Sequence, residues 1–294
     1  MNRLTIEKRT QIINLLVDGM SMRAISPVAD VSINTVTKML EDVGAACATY
    51  QDKTIRGVKA KRVQCDEIWG FCYAKEKNVA PEDKGVLGFG DVYTWTGMDA
   101  DSKLMISYMV GKRDADYANA FIDDLASRLA NRVQLSTDGH KPYLEAVEGA
   151  FGANVDYAML VKHYGPGSTT DQRRYSPSEF VSADKRVIVG RPDMANISTS
   201  FVERQNLTMR MGMRRLTRLT NGFSKKVENL EHAVSLHFMH YNFARIHKTL
   251  RVTPAMEAGI ADHVWSLEEI AALIPESIAK RRSLYKPRAA SISN

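Results

Sequence analysis

The sequence predicts an α/β protein in which a mixed five-stranded sheet flanked by helices follows a small all-α domain. Three observations carry that expectation. Residues 5–50 place apolar side chains at helical spacing behind serine caps. From residue 63 the texture changes to short segments of period two, punctuated by glycine and aspartate. After about residue 197 helical spacing returns.

Taken in order, Ile13, Leu15, Leu16 and Val17 form a first apolar stripe that ends near Gly19. Ser21 caps a second helix with Ala24, Ile25 and Val28 inward, and Pro27 should end or bend it. Ser32 caps a third helix that buries Val36, Met39 and Leu40 and exposes Asn34, Thr35 and Lys38. The tract MSMRAISPVADVSINTVTKML is thus patterned as a helix–turn–helix whose exposed trio suits phosphate and base-edge contacts. A plain three-helix cap is the alternative for residues 1–50. Residues 51–62 set Lys53, Arg56, Lys59, Lys61 and Arg62 against Asp52, the pattern of a basic linker or a solvated loop.

The larger domain is assigned to residues 63–250. VQCDEIWGFCYA, VLGFGDVYTWTGMDA and KLMISYMVG are three strands, with Gly97, Asp99 and Asp101 marking the turn between the last two. ADYANAFIDDLASRLAN spaces Tyr117, Phe121, Leu125 and Leu129 four apart, as an amphipathic helix does. VQLSTDGH is a fourth strand, PYLEAVEGAFG a short helix and VDYAMLVKH a fifth strand. The order β-β-β-α-β-α-β with a helix to follow is that of the ribonuclease H-like fold. Residues at about 165–197 are rich in glycine, proline and charge and are expected to be an insertion or loop over the functional face. One helix is expected from Ile197 to about Leu219 and another from Lys225 to about Thr249. Residues 251–294 form a C-terminal tail with a basic stretch, KRRSLYKPR, at 280–288.

Composition narrows the classes. The 294 residues are 44% hydrophobic and 25% charged, enough for a sizeable core, and the net charge of +6 fits a polyanionic partner. The cysteines, Cys47, Cys65 and Cys72, make no C-x-x-C pair, which argues against a disulfide framework or a zinc ribbon. No segment approaches the roughly 20 apolar residues of a spanning helix, and MNRLTIEKRTQ has no signal-peptide character. A soluble protein of the cytoplasm, associated with the nucleoid, is the expectation.

The acids Asp66, on the first strand, Asp138, at the end of the fourth, and Glu203, in the first turns of the later helix, are the candidate metal ligands. In a ribonuclease H-like sheet the first and fourth strands are neighbours, so two acids there share a metal. Hard divalent ions prefer carboxylate oxygens, and a pair about 3.5–4 Å apart serves both oxygens exchanged in phosphoryl transfer. The plain alternative is that each acid only caps or is solvated; Glu67, Asp91, Asp99 and Asp101 are the other acids in view, with Glu67 on the opposite face from Asp66 in a regular strand. At 100° per residue, Asn206, Arg210 and Arg214 fall within about 60° of Glu203. Arg204, Arg210, Arg214, Arg215, Arg218, Lys225 and Lys226 follow with no acid among them, a face suited to DNA phosphates, with a solvated basic face as the alternative. His237 and His240 are too few for a soft-metal site. Trp69 is expected to be a core residue or a base-stacking one, and His140 to touch phosphate at most.

Five stretches, CDEIW, QLSTDGHKPY, RRYSPSE, ISTSFVERQNLTMRMGMRRLTRLTNGFSKK and HYNFARIHKTLRVTPAMEAGI, occur in one order between about residues 60 and 270. They resemble transposases of the insertion-sequence-one type, members of the Asp-Asp-Glu class. The resemblance implies Asp66, Asp138 and Glu203 as the catalytic metal ligands and Arg210 as the basic residue seven positions after the glutamate. YNFARIHKTL is similar to a C-terminal segment of other Asp-Asp-Glu transposases, which implies that Tyr241, Asn242, Arg245, His247 and Lys248 lie near the catalytic helix and that the last three meet DNA. Some members begin with a cysteine-based zinc ribbon, and here no cysteine precedes Cys47. The implied activity is cleavage at the ends of a mobile element and attack of the freed 3′-OH on target DNA. Its implied cofactor is a pair of Mg²⁺ ions, with Mn²⁺ as a substitute. Its partners are double-stranded DNA (terminal repeats and target) and a second copy of the chain in a homodimer or larger assembly, with no membrane and no organic cofactor. A nuclease that does not join strands and a non-catalytic repressor descended from a transposase are the competing functions.

Overall fold

The structure, a computed structural model, describes residues 4–165, 180–217 and 220–275. RRYSPSE, Arg218 and the basic stretch at 280–288 lie outside the described residues. The chain opens with α1 (Ile6–Val17), α2 (Met22–Val28) and α3 (Ile33–Thr54). Thr5, Ser21 and Ser32 cap them, each accepting a backbone N–H from inside the first turn. Pro27 is tolerated because α2 ends one residue later.

Helix α3 joins two cores. Val36 and Met39 pack with Ile12, Ile25 and Ala29 of the first helices. Leu40, Val43 and Cys47, further along the same stripe, belong to the main core. The expected linker is therefore shorter, because 51–54 continue α3. Gln51 is buried and donates to the Ser235 carbonyl and the Tyr108 hydroxyl, each at 3.0 Å. Asp52 holds Arg128.

The sheet runs β3-β2-β1-β4-β5-β6. Strands β1 (Arg62–Cys72), β2 (Gly90–Asp99) and β3 (Met105–Gly111) form an antiparallel meander. After α4 (Ala115–Arg128), β4 (Gln134–Thr137) returns parallel to β1. After α5 (Pro142–Phe151), β5 (Asp156–Tyr164) adds parallel to β4. The expected neighbours, first and fourth strands, are neighbours here.

Six strands replace the five expected. β6 (Phe180–Val189) lies in the stretch expected to be loop and pairs antiparallel with β5 at the sheet edge. Its residues 180–188 are all exposed, so the strand carries no alternation of buried and exposed side chains to reveal it.

The last part departs from the expected helices too. α6 spans Ser200–Gly212, and Met213 is already extended. α7 (Val227–Met239) passes into a π-helical turn, His240–Ala244, that Arg245 ends. There the Asn242 side chain accepts from the Met105 N–H and donates to the Met105 carbonyl, both at 3.0 Å. It thus satisfies backbone on the β3 side that has no strand partner among the described residues. The tail continues with α8 (Pro254–Glu257) and α9 (Leu267–Ala272), and Ile270 and Ala271 are buried in the main core. No helix among the described residues is long and apolar enough to cross a membrane.

The helical N-terminus and α6 meet through two glycines. Gly19 has φ of +77°, and a Cβ there would be driven into the Gly212 carbonyl oxygen. Gly19→Ala should therefore cost about 1–2 kcal/mol and lower the melting temperature by several degrees. A thermal melt unchanged within a degree would contradict this contact.

Candidate active site

Register places the first two acids. Gln64 of β1 pairs with Ser136 of β4 in the parallel ladder, so Asp66 and Asp138, each two residues further on, stand at the same level. Neighbouring strands are about 4.8 Å apart, close enough for one cation to touch both carboxylates. Asp66 faces α6, where Asn206 Nδ2 donates to its Oδ2 at 2.9 Å. The Asn206 side-chain oxygen Oδ1 accepts from the Thr96 hydroxyl at 3.3 Å, and that hydroxyl also donates to the Asp66 backbone carbonyl at 2.9 Å. Asp138 accepts the His140 N–H at 2.9 Å on one oxygen and Arg113 at 3.4 Å on the other.

Glu203 is carried by α6, whose entry is fixed from the sheet. The N-cap residue Thr199 makes no side-chain cap. Instead Gln64 Oε1 accepts the N–H groups of Phe201 and Val202 at 2.9 and 3.2 Å. Gln64 and Asp66 share one strand face, so the same stretch of β1 supplies an acid and docks the helix bearing another. The Glu203 carboxylate turns to Lys162 and the Thr199 hydroxyl, both of which donate to Oε1. Asp66, Asp138 and Glu203 line one open groove of about 740 Å³, with Arg113, His140, Lys141 and Lys162.

The tightest group of acids differs from the expected trio. Asp66, Glu67 and Asp138 each bring a carboxylate oxygen within 4.8 Å of the others. Strand alternation does put Glu67 on the face opposite Asp66, yet both side chains reach the strand end where Asp138 sits. The Glu67 side chain is only 2% exposed and accepts from Arg113 Nε at 3.0 Å. Arg113 thus spans Glu67 and Asp138, with its guanidinium 5.8 Å from the centre of the Tyr93 ring. The adjacent acids in CDEIW were the visible signal for Glu67; Arg113, Lys162 and Thr199 carry no local motif.

Burial, then the charges of Glu67, Asp138 and Glu203, push the Asp66 carboxyl up to about 7. Burial and then Asp138 raise Glu67. These donors fit a divalent cation: they are hard oxygens, converge from separate elements, and hold more negative charge than the buried site tolerates alone. His140 is a packing residue, its ring 5.8 Å from those of both Trp95 and Tyr143 and its basicity lowered by burial and then by Arg113.

The expected DNA-contacting residues divide. Asn34 and Lys38 are exposed on α3 and Thr35 is half-buried; Lys38 pairs with Asp42 at 2.8 Å. Asn206 is turned inward onto Asp66, and 7% exposure leaves it no open face. Arg210 is half-buried and donates to the carbonyls of Trp69 and Leu216 at 3.1 and 3.4 Å. Arg214 is exposed but lies beyond the end of α6, so the helical projection from Glu203 does not reach it. Arg215 points inward, 2.7 Å from the Ser224 hydroxyl. Lys225, Lys226, Arg245 and Lys248 are exposed and His247 is half-buried. Tyr241 shares the apolar cluster of Val202 on α6, which brings this segment beside the helix of Glu203. His237 is half-buried; burial, then His240 and Arg245, push it down to about 3, and its ring packs edge-on to Phe238 at 5.2 Å. Trp69 is half-buried rather than part of the core.

No protein-family profile and no curated protein sequence matches the chain. Among solved structures, it is similar to the piggyBac transposase synaptic complex with hairpin DNA. The TM-score is 0.39 at 11% identity, over 99% of this chain and 79% of that one. It is also similar to the Mos1 strand transfer complex, with TM-score 0.23 and 15% identity over 53% of this chain and 59% of that one. The pre-cleavage Mos1 transpososome gives TM-score 0.21 and 12% identity over 53% and 60% of the respective chains. At such scores the backbones share only part of their course.

The raised Asp66 carboxyl has a consequence for stability. Between its ordinary value of 3.8 and about 7, the metal-free folded chain keeps a proton that the unfolded chain has released. Stability therefore falls as pH rises through that window, by up to roughly 1.4 kcal/mol per pH unit for one group. Denaturant titrations in EDTA from pH 4 to 8 should show this fall, and Asp66→Asn should flatten it; equal slopes in both proteins would contradict the assignment.

Proposed function

We propose that the chain is a transposase of the Asp-Asp-Glu class, of the insertion-sequence-one type, which cleaves DNA at the ends of a mobile element and joins the 3′-OH ends to target DNA. The observation that carries this reading is the level placement of Asp66 and Asp138 on adjacent parallel strands, with Glu203 lining the same groove. The motif stretches around these acids and the ribonuclease H-like strand order support it.

On this reading Asp66, Asp138 and Glu203 would hold the divalent ions, Asp66 serving with each of the other two, and Glu67 would add negative charge beside them. Mg²⁺ held there, or Mn²⁺ in its place, would supply activation of an oxygen nucleophile and neutralisation of the leaving oxygen. The chain's own groups do the rest. Asn206 fixes the Asp66 carboxylate by a hydrogen bond that leaves one oxygen free to ligate. Arg113 offsets the charge of Glu67 and Asp138 and stands at the groove wall, where it meets a DNA phosphate. Lys141 and Lys162 line the same groove and add positive charge to it. Asn34, Thr35 and Lys38 of α3 choose the DNA sequence, and Arg214, Lys225, Lys226, Arg245 and Lys248 hold its backbone. Joining two ends calls for two active sites, hence a homodimer or larger assembly on DNA.

Asp66→Asn, Asp138→Asn and Glu203→Gln should each lower Mg²⁺-dependent cleavage of end-containing DNA by at least about a thousandfold while binding of the ends persists. Cleavage at the parental rate in Asp66→Asn would refute the reading. Incubation with pre-cleaved ends and a target plasmid should give joined products; nicking without joining would instead assign a nuclease.

A further inference from the structure

The covered part of the sheet stops at the active site. Glu67 and its β2 partner Trp95 lie on the face that α4 and α5 pack against, and Trp95 is fully buried. Beyond them on the same face come Trp69 opposite Tyr93, then Phe71 opposite Asp91. Trp69, Tyr93 and Phe71 are half-buried, so packing from the helices has ended. The segment at Ser224 runs parallel beside Cys72 and extends the surface by one more ring, Phe223.

These rings form a continuous row. Trp69 and Phe71 have centroids 5.9 Å apart with planes inclined by 38°, and Phe71 and Phe223 are 4.7 Å apart at 36°. Cations border the row along its length: Arg113 over Tyr93 at 5.8 Å, Lys75 over Phe71 at 6.0 Å and Lys225 over Phe223 at 4.2 Å. Asp91 is an acid of the same face, at the end remote from the groove, and Glu76 lies beside it, accepting its backbone N–H at 3.1 Å. The row begins where Arg113 bridges Glu67 and Asp138, so it leads directly out of the catalytic groove.

We infer that this face binds unpaired DNA bases, receiving a single strand as it leaves the acids. Aromatic side chains on an open sheet face stack bases of any sequence, and flanking lysines and arginines follow the phosphates. Charge complementarity selects the occupant: a row of rings edged by three cations and continuous with a phosphate-handling groove suits a polyanion with flat apolar rings. The inference rests on the reading of the groove as a DNA site.

The test uses the full chain with Ca²⁺ in place of Mg²⁺. A fluorescein-labelled oligothymidine and a duplex of equal length are titrated by anisotropy, with tryptophan fluorescence followed in parallel. Trp69→Leu combined with Phe223→Leu keeps apolar bulk but removes two stacking faces. It should weaken oligothymidine binding about tenfold, the order one or two base–aromatic stacks supply, while duplex binding stays within about twofold. The parental protein should lose tryptophan fluorescence on oligothymidine, and Trp69→Leu should not. Phe71→Leu, a separate variant checked for an unchanged melt, should weaken the oligothymidine in the same selective way. Oligothymidine affinity unchanged in all variants, or equal losses for duplex and single strand, would overturn the inference. Failure of the transposase reading shows separately, as cleavage that survives Asp66→Asn.

Discussion

Two carboxylates held level on adjacent parallel strands repel one another, and much of the surrounding structure answers that repulsion. The β1–β4 ladder sets Asp66 beside Asp138, and Glu67 brings a third acid to the same end of the sheet. Partial burial makes the charge more costly still, because the half-buried Asp66 carboxylate loses part of its hydration. Three kinds of group offset it. Asn206 donates to Asp66, the His140 backbone N–H donates to Asp138, and Arg113 lies between Glu67 and Asp138. What these groups leave over is an excess of negative charge in an open groove, the condition that favours capture of a divalent cation.

The same constraint explains how α6 is placed. A glutamate on a helix contributes to a sheet-borne site only if the helix begins at a defined point over the strands. Gln64, two residues before Asp66, fixes that point by accepting the first free N–H groups of α6. Thr199 and Lys162 then hold the Glu203 carboxylate at the groove wall. At its other end α6 stops at Gly212, whose carbonyl oxygen lies against Gly19. The N-terminal helices and the helix carrying Glu203 therefore share a close backbone contact, and α3 belongs both to the small N-terminal core and to the main core.

Much of this was legible in the sequence. Period-two segments mark five of the strands and serine caps mark α2 and α3; Asp66, on the first strand, and Asp138, just past the fourth, line one groove. The rest had physical reasons to stay hidden. β6 is exposed along nearly its whole length, so it shows no burial pattern. α3 runs past its expected end because Gln51 and Asp52 are held by distant residues on α4 and α7. The projection from Glu203 to Arg214 assumed a helix that stops at Gly212. Asn206 was grouped with the arginines as a DNA contact, though its place one turn after Glu203 equally suits an inward bond to Asp66. Glu67 was set aside by strand alternation, a rule that fixes the face of a side chain but not how far its carboxylate reaches past the strand end. Partners such as Arg113, in the connection after β3, and Lys162, on β5, arrive from elsewhere in the chain, and local spacing holds no trace of them.

Anomalous diffraction from crystals of the full chain soaked in Mn²⁺ tests the central claim most directly. A peak within about 2.3 Å of carboxylate oxygens of both Asp66 and Asp138, lost in Asp66→Asn, is the predicted result. Mn²⁺ bound elsewhere, with those two carboxylates unligated at saturating metal, would contradict it.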